Sequence, residues 1–424
     1  MKKNIFSIFL IFVFLMTFAH NVYALPINID ATSGIVTDAD TNEIIYTKDI
    51  DARAYPASIT KLLTATILTK HKQKNDLLTY TQNASEEEPY TIVYNVIPTL
   101  QVGDEIPAED VMKMLLIFSG NDMAVMIAEN VSGTVEAFMK EVNDYAKSIG
   151  MNNSNFITPN GLHDENHYTT AYDLSLLMRE IIKNPWIIEV LKMPYADINF
   201  KGETYTIETR NHLLGKDGCV VGKTGLTDEA GKCFASYFEI GNRKLISVVL
   251  NSLLEDTDDA NNAVFKDTKD IIQYALEQKK EPFIKKGTQL KEDIISYKPF
   301  KYLGPEYTAN VGATLNEDFS IYQNDVNVNE VDTNYDIDFG SLDAWNLNKE
   351  KPIGKLTVTQ RDGTKTMDLY PTIDTKEIVD SNKKLYILVF SIAGLIALIF
   401  LILIIVIIVK ISKAKKRNNK RRYR

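Results

Sequence analysis

Apolar positions along this chain fall into three regimes. Early on, Gly34-Ile-Val-Thr-Asp and Glu43-Ile-Ile-Tyr-Thr alternate with a period of two, and Asp38-Ala-Asp-Thr-Asn between them is rich in turn formers. That pattern predicts a β-hairpin. Apolar residues at three- and four-residue spacing then predict helices over 58–70, 108–117, 123–131, 134–149 and 171–183. Strands return at 220–224, 233–240 and 244–251. Strands at both ends of a helical middle predict one α+β domain, with a sheet assembled from both chain ends.

From about residue 283 the helical period disappears. Tyr307-Thr-Ala-Asn-Val and Gly354-Lys-Leu-Thr-Val are short alternating segments, and Arg361-Asp-Gly-Thr reads as a turn. We expect a small all-β sandwich over 283–370 and a linker over 371–384. The third regime, 385–409, carries no charge. At ~1.5 Å rise per residue such a run crosses a ~30 Å hydrocarbon core, which predicts one transmembrane helix.

The flanks give this span a direction. Residues 410–424 hold nine Lys or Arg and no acid, so the tail is expected in the cytoplasm. Its place directly after a span makes anionic lipid its neighbour rather than nucleic acid. At the other end, Lys2 and Lys3 precede an apolar run over 5–18, and Val22-Tyr23-Ala24 supplies a small-residue cleavage point. Residues 1–24 therefore read as a signal peptide. The body from 25 to 384 is expected outside the cell membrane, tethered by a single pass.

Charge partitions in the same way. The chain carries −9 overall, and the two ends hold eleven Lys or Arg with no acid, which leaves −20 on the body. A body so acidic is not a nucleic-acid binder. Two cysteines, Cys219 and Cys233, exclude a disulfide scaffold and a four-thiolate zinc site. The five histidines show no metal-ligand spacing, so neither a metal nor a cofactor is expected. The cysteines lie symmetrically about Leu226. A hairpin centred there would set them opposite each other, within reach of a bridge; otherwise they are two buried small hydrophobes.

Candidate chemistry begins at Pro56-Ala-Ser58-Ile-Thr-Lys61. Serine and lysine three apart share one face of a helical turn. A serine hydroxyl needs an adjacent base to act as a nucleophile, and a buried lysine with a lowered pKa can be that base. The spacing alone is weak, because Ser381 with Lys384 and Ser412 with Lys415 repeat it beside the span. Two further elements follow in order. Ser119-Gly-Asn121 sits after an apolar run and before a helix, and Lys223-Thr224-Gly225 ends a strand. Taken singly, these are ordinary caps and strand ends. A cation and a hydroxyl on an exposed strand suit a substrate carboxylate, and glycine removes bulk where a substrate approaches.

Ser-x-x-Lys, Ser-x-Asn and Lys-Thr-Gly in this order resemble the signature of penicillin-binding proteins and serine β-lactamases. The neighbouring text narrows the resemblance. Pro56-Ala-Ser-Ile-Thr-Lys-Leu-Leu-Thr-Ala, Ser119-Gly-Asn-Asp, Pro159-Asn-Gly-Leu, His167-Tyr-Thr-Thr-Ala-Tyr-Asp-Leu, Arg210-Asn-His-Leu-Leu and Gly222-Lys-Thr-Gly-Leu-Thr-Asp-Glu-Ala-Gly are similar to low-molecular-mass D-alanyl-D-alanine carboxypeptidases. The likeness runs over 27–260, and more loosely into the β-rich region.

It implies a β-lactamase/transpeptidase-like catalytic domain over 25–280 acting on peptidoglycan stem peptides. Ser58 would attack the bond between the two terminal D-Ala residues, and Lys61 would take its proton. Ser119 would pass a proton to the leaving amine, and Asn121 would orient the substrate. Lys223 and Thr224, with Arg210, would bind the free carboxylate. The backbone N–H groups of Ser58 and Leu226 would form the oxyanion hole beside Gly225. β-Lactams would acylate the same serine.

Two departures stand out. Leu226 occupies a place where relatives often carry His or Tyr, and the anchor spans where many relatives use an amphipathic helix. The rival readings are a serine β-lactamase, for which Glu165-Asn166 would offer a deacylation base, and a non-catalytic wall-binding module with relic motifs.

Overall fold

The computed structural model describes residues 27–253 and 262–422. The expected signal peptide lies outside the described residues. Two compact units emerge, one running up to Lys280 and including Tyr322–Asn329, the other made of Glu281–Ile321 and Glu330 onward.

The first unit is built on a five-stranded antiparallel sheet. Its strands are β1 (Ser33–Asp38), β2 (Ile44–Lys48), β3 (Cys219–Thr227), β4 (Gly231–Ile240) and β5 (Arg243–Ser252), in the order β2-β1-β5-β4-β3. Early and late strands of this unit do share one sheet, as expected. Both faces are covered, so alternate residues enter different cores. Ile35, Ala235 and Val248 join a core on one face, while Val36, Phe234 and Val249 join a core on the other. A sheet buried on both sides reads as near-continuous apolar sequence rather than strict alternation.

Helices α1 (Lys61–His71), α2 (Asn121–Ser132), α3 (Val135–Ser148) and α4 (Ala171–Ile181) fill the first core, and α5 (Ala263–Glu277) backs the second. Helix α1 is buried continuously from Lys61 to Leu68. A helix apolar all round belongs at the centre of a large core, and that placement carries Lys61 away from water. On α5, Asp267 is buried and accepts hydrogen bonds from Asp30 N, Ala31 N and Ser252 Oγ, which ties the start of the chain to the sheet. The periodicity does not announce the helix Pro185–Leu191 or the hairpin Tyr195–Phe200/Glu203–Glu208. Both are too short to establish a period.

The hairpin β3–β4 corrects the cysteine geometry expected from sequence symmetry. Its turn lies after Thr227, which pairs with Gly231, because Gly231 takes the left-handed φ of +63° that the turn demands. Cys233 therefore faces Gly225 in the register, and Cys219 faces Phe238. The thiols enter different cores, both buried and both free. No bridge can form between opposite faces of one sheet, so these are two small core hydrophobes.

The segment Tyr322–Asn329 closes an edge of the first unit. Asn324 and Asn327 both donate from Nδ2 to the carbonyl of Ile44 on edge strand β2, at 3.0 and 2.8 Å. Tyr322 joins the second core of that unit.

The second unit holds a five-stranded antiparallel sheet of β6 (Lys291–Tyr297), β7 (Tyr307–Thr314), β8 (Asp332–Asp336), β9 (Gly354–Gln360) and β10 (Gly363–Pro371), in the order β6-β7-β10-β9-β8. A two-stranded sheet pairs Glu281–Ile284 with Phe319–Ile321. The stretch expected as a linker is structured. It carries α6 (Thr375–Ser381), and Ile378 enters a core with Ile295 and Val311. Helix α7 (Lys383–Arg422) follows, long and apolar enough to cross a membrane, its apolar stretch unburied.

Candidate active site

Ser58 lies in a tight turn of 3₁₀ type, Ala57–Thr60, that feeds directly into α1. Ala57 is held at a φ of +46°, a left-handed conformation that costs a non-glycine residue roughly 1–2 kcal/mol. Neighbouring backbone fixes the turn. A Cβ on Gly161 would fall 1.9 Å from the Ala57 carbonyl oxygen, and Gly161 itself sits at a φ of +83°. On the other side β3 passes close by. A Cβ on Gly225 would approach Pro56 O to 2.7 Å and Ser58 N to 3.2 Å. Both glycines are needed for the nucleophile turn to be clamped between its neighbours.

Lys61 is completely buried, and its Nζ has three oxygens around it: Ser58 Oγ at 2.8 Å, Asn121 Oδ1 at 2.6 Å and the main-chain carbonyl of Asn160 at 2.8 Å. Asn121 Nδ2 donates to Tyr90 O at 2.6 Å, which fixes the amide with its oxygen toward the lysine. Burial, then the charges of Lys223 and Arg210, hold the Lys61 pKa well below its ordinary range. A neutral amine has two N–H groups and one lone pair. The two carbonyl oxygens can only accept, so they take the N–H groups. The lone pair is then left for the one partner able to donate, the Ser58 hydroxyl. Nζ therefore lies where a neutral amine can take the serine's proton.

Ser119 reaches the site by an unusual route. The helix expected over 108–117 is α-helical only over Ala108–Lys113, then widens to a π-helical turn over Met114–Phe118. Such wide turns recur where a side chain must be re-aimed. Ser119 follows at a φ of +73°, and its Oγ accepts from Lys223 Nζ at 2.9 Å. The two motif serines are thus each matched to a lysine: Ser58 with Lys61, Ser119 with Lys223. Lys223 also donates to Thr224 O at 3.1 Å, and burial followed by the Arg210 charge pulls its pKa down to about 7. Arg210 is exposed and lies over the Phe118 ring at 6.0 Å, acting on both lysines through space. Thr224 is half-buried and the Leu226 side chain is 51% exposed.

Sequence reasoning passed over four residues. Asn160 contributes through its main chain, which no motif can reveal. Its side chain bonds to Glu87, a half-buried carboxyl that burial pushes above its usual range. Asp122 accepts from the N–H of Val93 at 2.9 Å and from Tyr80 at 3.2 Å, and burial raises its pKa to about 6. It holds the segment bearing Tyr90 and Thr91 against Asn121. His167 accepts at Nδ1 from Ile157 N and Thr158 N, both 3.2 Å, so its proton sits on Nε2, 2.9 Å from Thr60 Oγ1. Burial keeps it neutral, with a pKa near 4. Asp122 follows directly on Ser-Gly-Asn and His167 opens another quoted stretch, so position was the available signal for both. Glu165 and Asn166 are exposed in a turn, and among the described residues neither shares a hydrogen bond with Ser58 or Lys61.

Residues 19–253 match the model of the D-alanyl-D-alanine carboxypeptidase peptidase family. The chain belongs to that family. The carboxypeptidase DacF of Bacillus subtilis is 30% identical over 263 residues, which cover 59% of this chain and 66% of the relative, slightly under two thirds of its length. Among solved structures, the carboxypeptidase DacD from Francisella tularensis aligns with a TM-score of 0.60 at 20% identity, over 85% of this chain and 97% of that one. That likeness gives the fold. Penicillin-binding protein D2 from Listeria monocytogenes, solved in its ampicillin-bound form, aligns at 26% identity and a TM-score of 0.51, over 59% of this chain and 99% of that one.

Proposed function

We propose that this protein is a membrane-anchored serine D,D-carboxypeptidase that removes the terminal D-Ala from peptidoglycan stem peptides. The observation that carries the reading is the fully buried Lys61, with its Nζ 2.8 Å from Ser58 Oγ.

Ser58 Oγ attacks the carbonyl carbon between the two D-Ala residues while Lys61 accepts its proton. Charge that develops on the carbonyl oxygen meets the backbone N–H groups of Ser58 and Leu226, an arrangement whose single donors are often worth roughly 3 kcal/mol of barrier. The tetrahedral intermediate collapses as the C–N bond breaks. Ser119, held by Lys223, relays a proton to the leaving amine and is resupplied with the one that Lys61 took from Ser58, which leaves Lys61 neutral again; Asn121 orients the substrate amide. Lys223, Thr224 and Arg210 hold the free carboxylate of the leaving D-Ala. Water then attacks the ester carbonyl while neutral Lys61 takes its proton; as the ester C–O bond breaks, Lys61 returns that proton to Ser58 Oγ and the shortened stem departs.

β-Lactams enter the same sequence at the first step and acylate Ser58. Family membership and the ampicillin-bound state of the Listeria relative support this part of the reading. Helix α7 anchors the chain, with the catalytic unit outside the membrane and the basic tail in the cytoplasm. The apolar stretch before nine basic residues supports that direction.

The test is fluorescent penicillin labelling of wild type and Ser58→Ala, followed by D-Ala release from a pentapeptide. Wild type should label covalently and release D-Ala, and the variant should do neither. Undiminished release by Ser58→Ala would sink the serine mechanism. Rapid turnover of nitrocefin by wild type would point to a β-lactamase instead.

A further inference from the structure

Between β6 and β7 the chain makes a tight turn over 298–304 that leaves large apolar groups in the open. Tyr302 is 76% exposed and Leu303 is 72% exposed, among the most exposed large hydrophobic residues described. They are not on a loose loop. Lys301 N donates to Lys298 O at 2.9 Å, Phe300 N to Leu303 O at 3.3 Å, and Lys301 takes a φ of +64° to close the turn. The Lys301 ammonium lies over the Tyr302 ring, 5.5 Å from its centroid. A structured turn that spends its most exposed positions on an aromatic and an aliphatic side chain marks a contact surface.

The turn is joined to the first turns of α7. Tyr386 donates from its hydroxyl to Pro299 O at 2.7 Å, and its ring meets that of Phe300 edge to face at 5.3 Å. Just before the helix, Asn382 donates to the Tyr297 hydroxyl at 2.6 Å. Trp345 Nε1 donates to Lys298 O at 3.1 Å. These contacts set the turn level with the start of the apolar run at Leu385. Four exposed lysines belong to these two segments, Lys298 and Lys301 in the turn and Lys383 and Lys384 at the helix start.

Resting on the reading of α7 as a membrane span, we propose that the 298–304 turn is a second membrane contact. Tyr302 and Leu303 enter the headgroup region of the bilayer that α7 crosses, and the four lysines face its phosphates. The chemistry is that of an interfacial anchor: aromatic rings with one polar end at headgroup depth, flanked by cations that meet anionic lipid. One span leaves a protein free to swivel about a single point. A second contact, rigidly joined to the helix start, fixes the second unit's tilt on the membrane.

The test places a single cysteine at 302, 364 or 397 of the full-length chain, each carrying a nitrobenzoxadiazole probe. The native thiols are buried (Cys219 2%, Cys233 1% exposed) and leave the introduced one to react. Each protein is reconstituted in phosphatidylethanolamine–phosphatidylglycerol vesicles containing lipid brominated at the top or the end of its acyl chains, and penicillin labelling certifies folding. Thr364 is exposed in the β9–β10 turn, and the strand ladders put it at the far end of the sheet from residue 302. Ala397 lies in the middle of the span. The expected result is quenching at 302 by shallow bromine several-fold above that at 364, with 397 quenched by deep bromine. Equal, weak quenching at 302 and 364 overturns the proposal. So does an unquenched 397, which removes the span on which it stands.

Discussion

Two lysines, both buried, are asked to carry opposite protonation states. In the proposed mechanism Lys61 is neutral to receive the Ser58 proton, whereas Lys223 is charged to hold a carboxylate. Lys223 sits at about 7 before substrate arrives. Its hold on the carboxylate should therefore weaken as pH rises past 7, giving a basic limb in kcat/KM. Lys223→Arg should remove that limb, because guanidinium stays charged. A pH profile of D-Ala release reads this directly, and a limb that persists in the arginine variant assigns it elsewhere.

Asn121→Asp makes the reverse case at Lys61. A carboxylate in place of the amide favours the ammonium, so the pH below which acylation fails should move upward. Stopped-flow acylation by a penicillin across pH measures it. His167 adds a stability signature. Its folded pKa of about 4 lies below the ordinary 6.5, so the unfolded chain takes up the proton first as pH falls. Its contribution is complete above pH 6.5 and is lost progressively toward pH 4, amounting to roughly 3 kcal/mol. Denaturant unfolding should show that slope in wild type and a shallower one in His167→Gln. Ser58, Lys61, Ser119, Asn121 and Lys223 were legible because their side-chain chemistry is the motif. Asn160 was not, since a carbonyl oxygen has no residue identity, and Glu87 was hidden in a run of three glutamates.

Elements set what those residues can reach. The nucleophile turn is clamped between Gly161 and β3, and no side chain fits on either side. Gly161→Ala drives a Cβ into the Ala57 carbonyl at a φ that disfavours any side chain. A loss of roughly 3 kcal/mol or more in stability is expected, with penicillin acylation falling alongside. Thermal unfolding and labelling kinetics on one preparation test both. A variant with wild-type melting and labelling would show that the turn yields more easily than its contacts suggest. Sequence patterns located α1 and the helix over 108–117, but not the wider turn in which the latter ends. Hydrophobic spacing does not distinguish an α-turn from a π-turn, and Ser119 takes its direction from that wider turn. The hairpin β3–β4 was misread for a related reason: symmetry about Leu226 is arithmetic, while the turn is placed by the left-handed φ at Gly231.

On the scale of the whole molecule, sequence order and spatial grouping part company. The expected boundary near residue 280 is where the chain first leaves the catalytic unit, yet Tyr322–Asn329 returns to it. No periodicity announces that return, because the segment acts through two asparagine amides and one tyrosine rather than through a regular face. A fragment ending at Lys280 should therefore keep its site residues but lose the partners of the Ile44 carbonyl and the burial of Tyr322. Roughly 2–4 kcal/mol of stability should go with them. Comparing its melting point with that of a fragment ending at Asn382 checks this; equal values would make the segment ornamental.

That returning segment also imposes an order of events in time. A ribosome delivers the chain from the amino end. Strand β2 appears early, but the amides that cover its edge arrive nearly three hundred residues later. Until then that edge lacks its cover, and an open sheet border is a ready template for pairing with other chains. Maturation of the first unit is in this sense scheduled by the half-made unit that follows it, and is complete only shortly before α7 is synthesised.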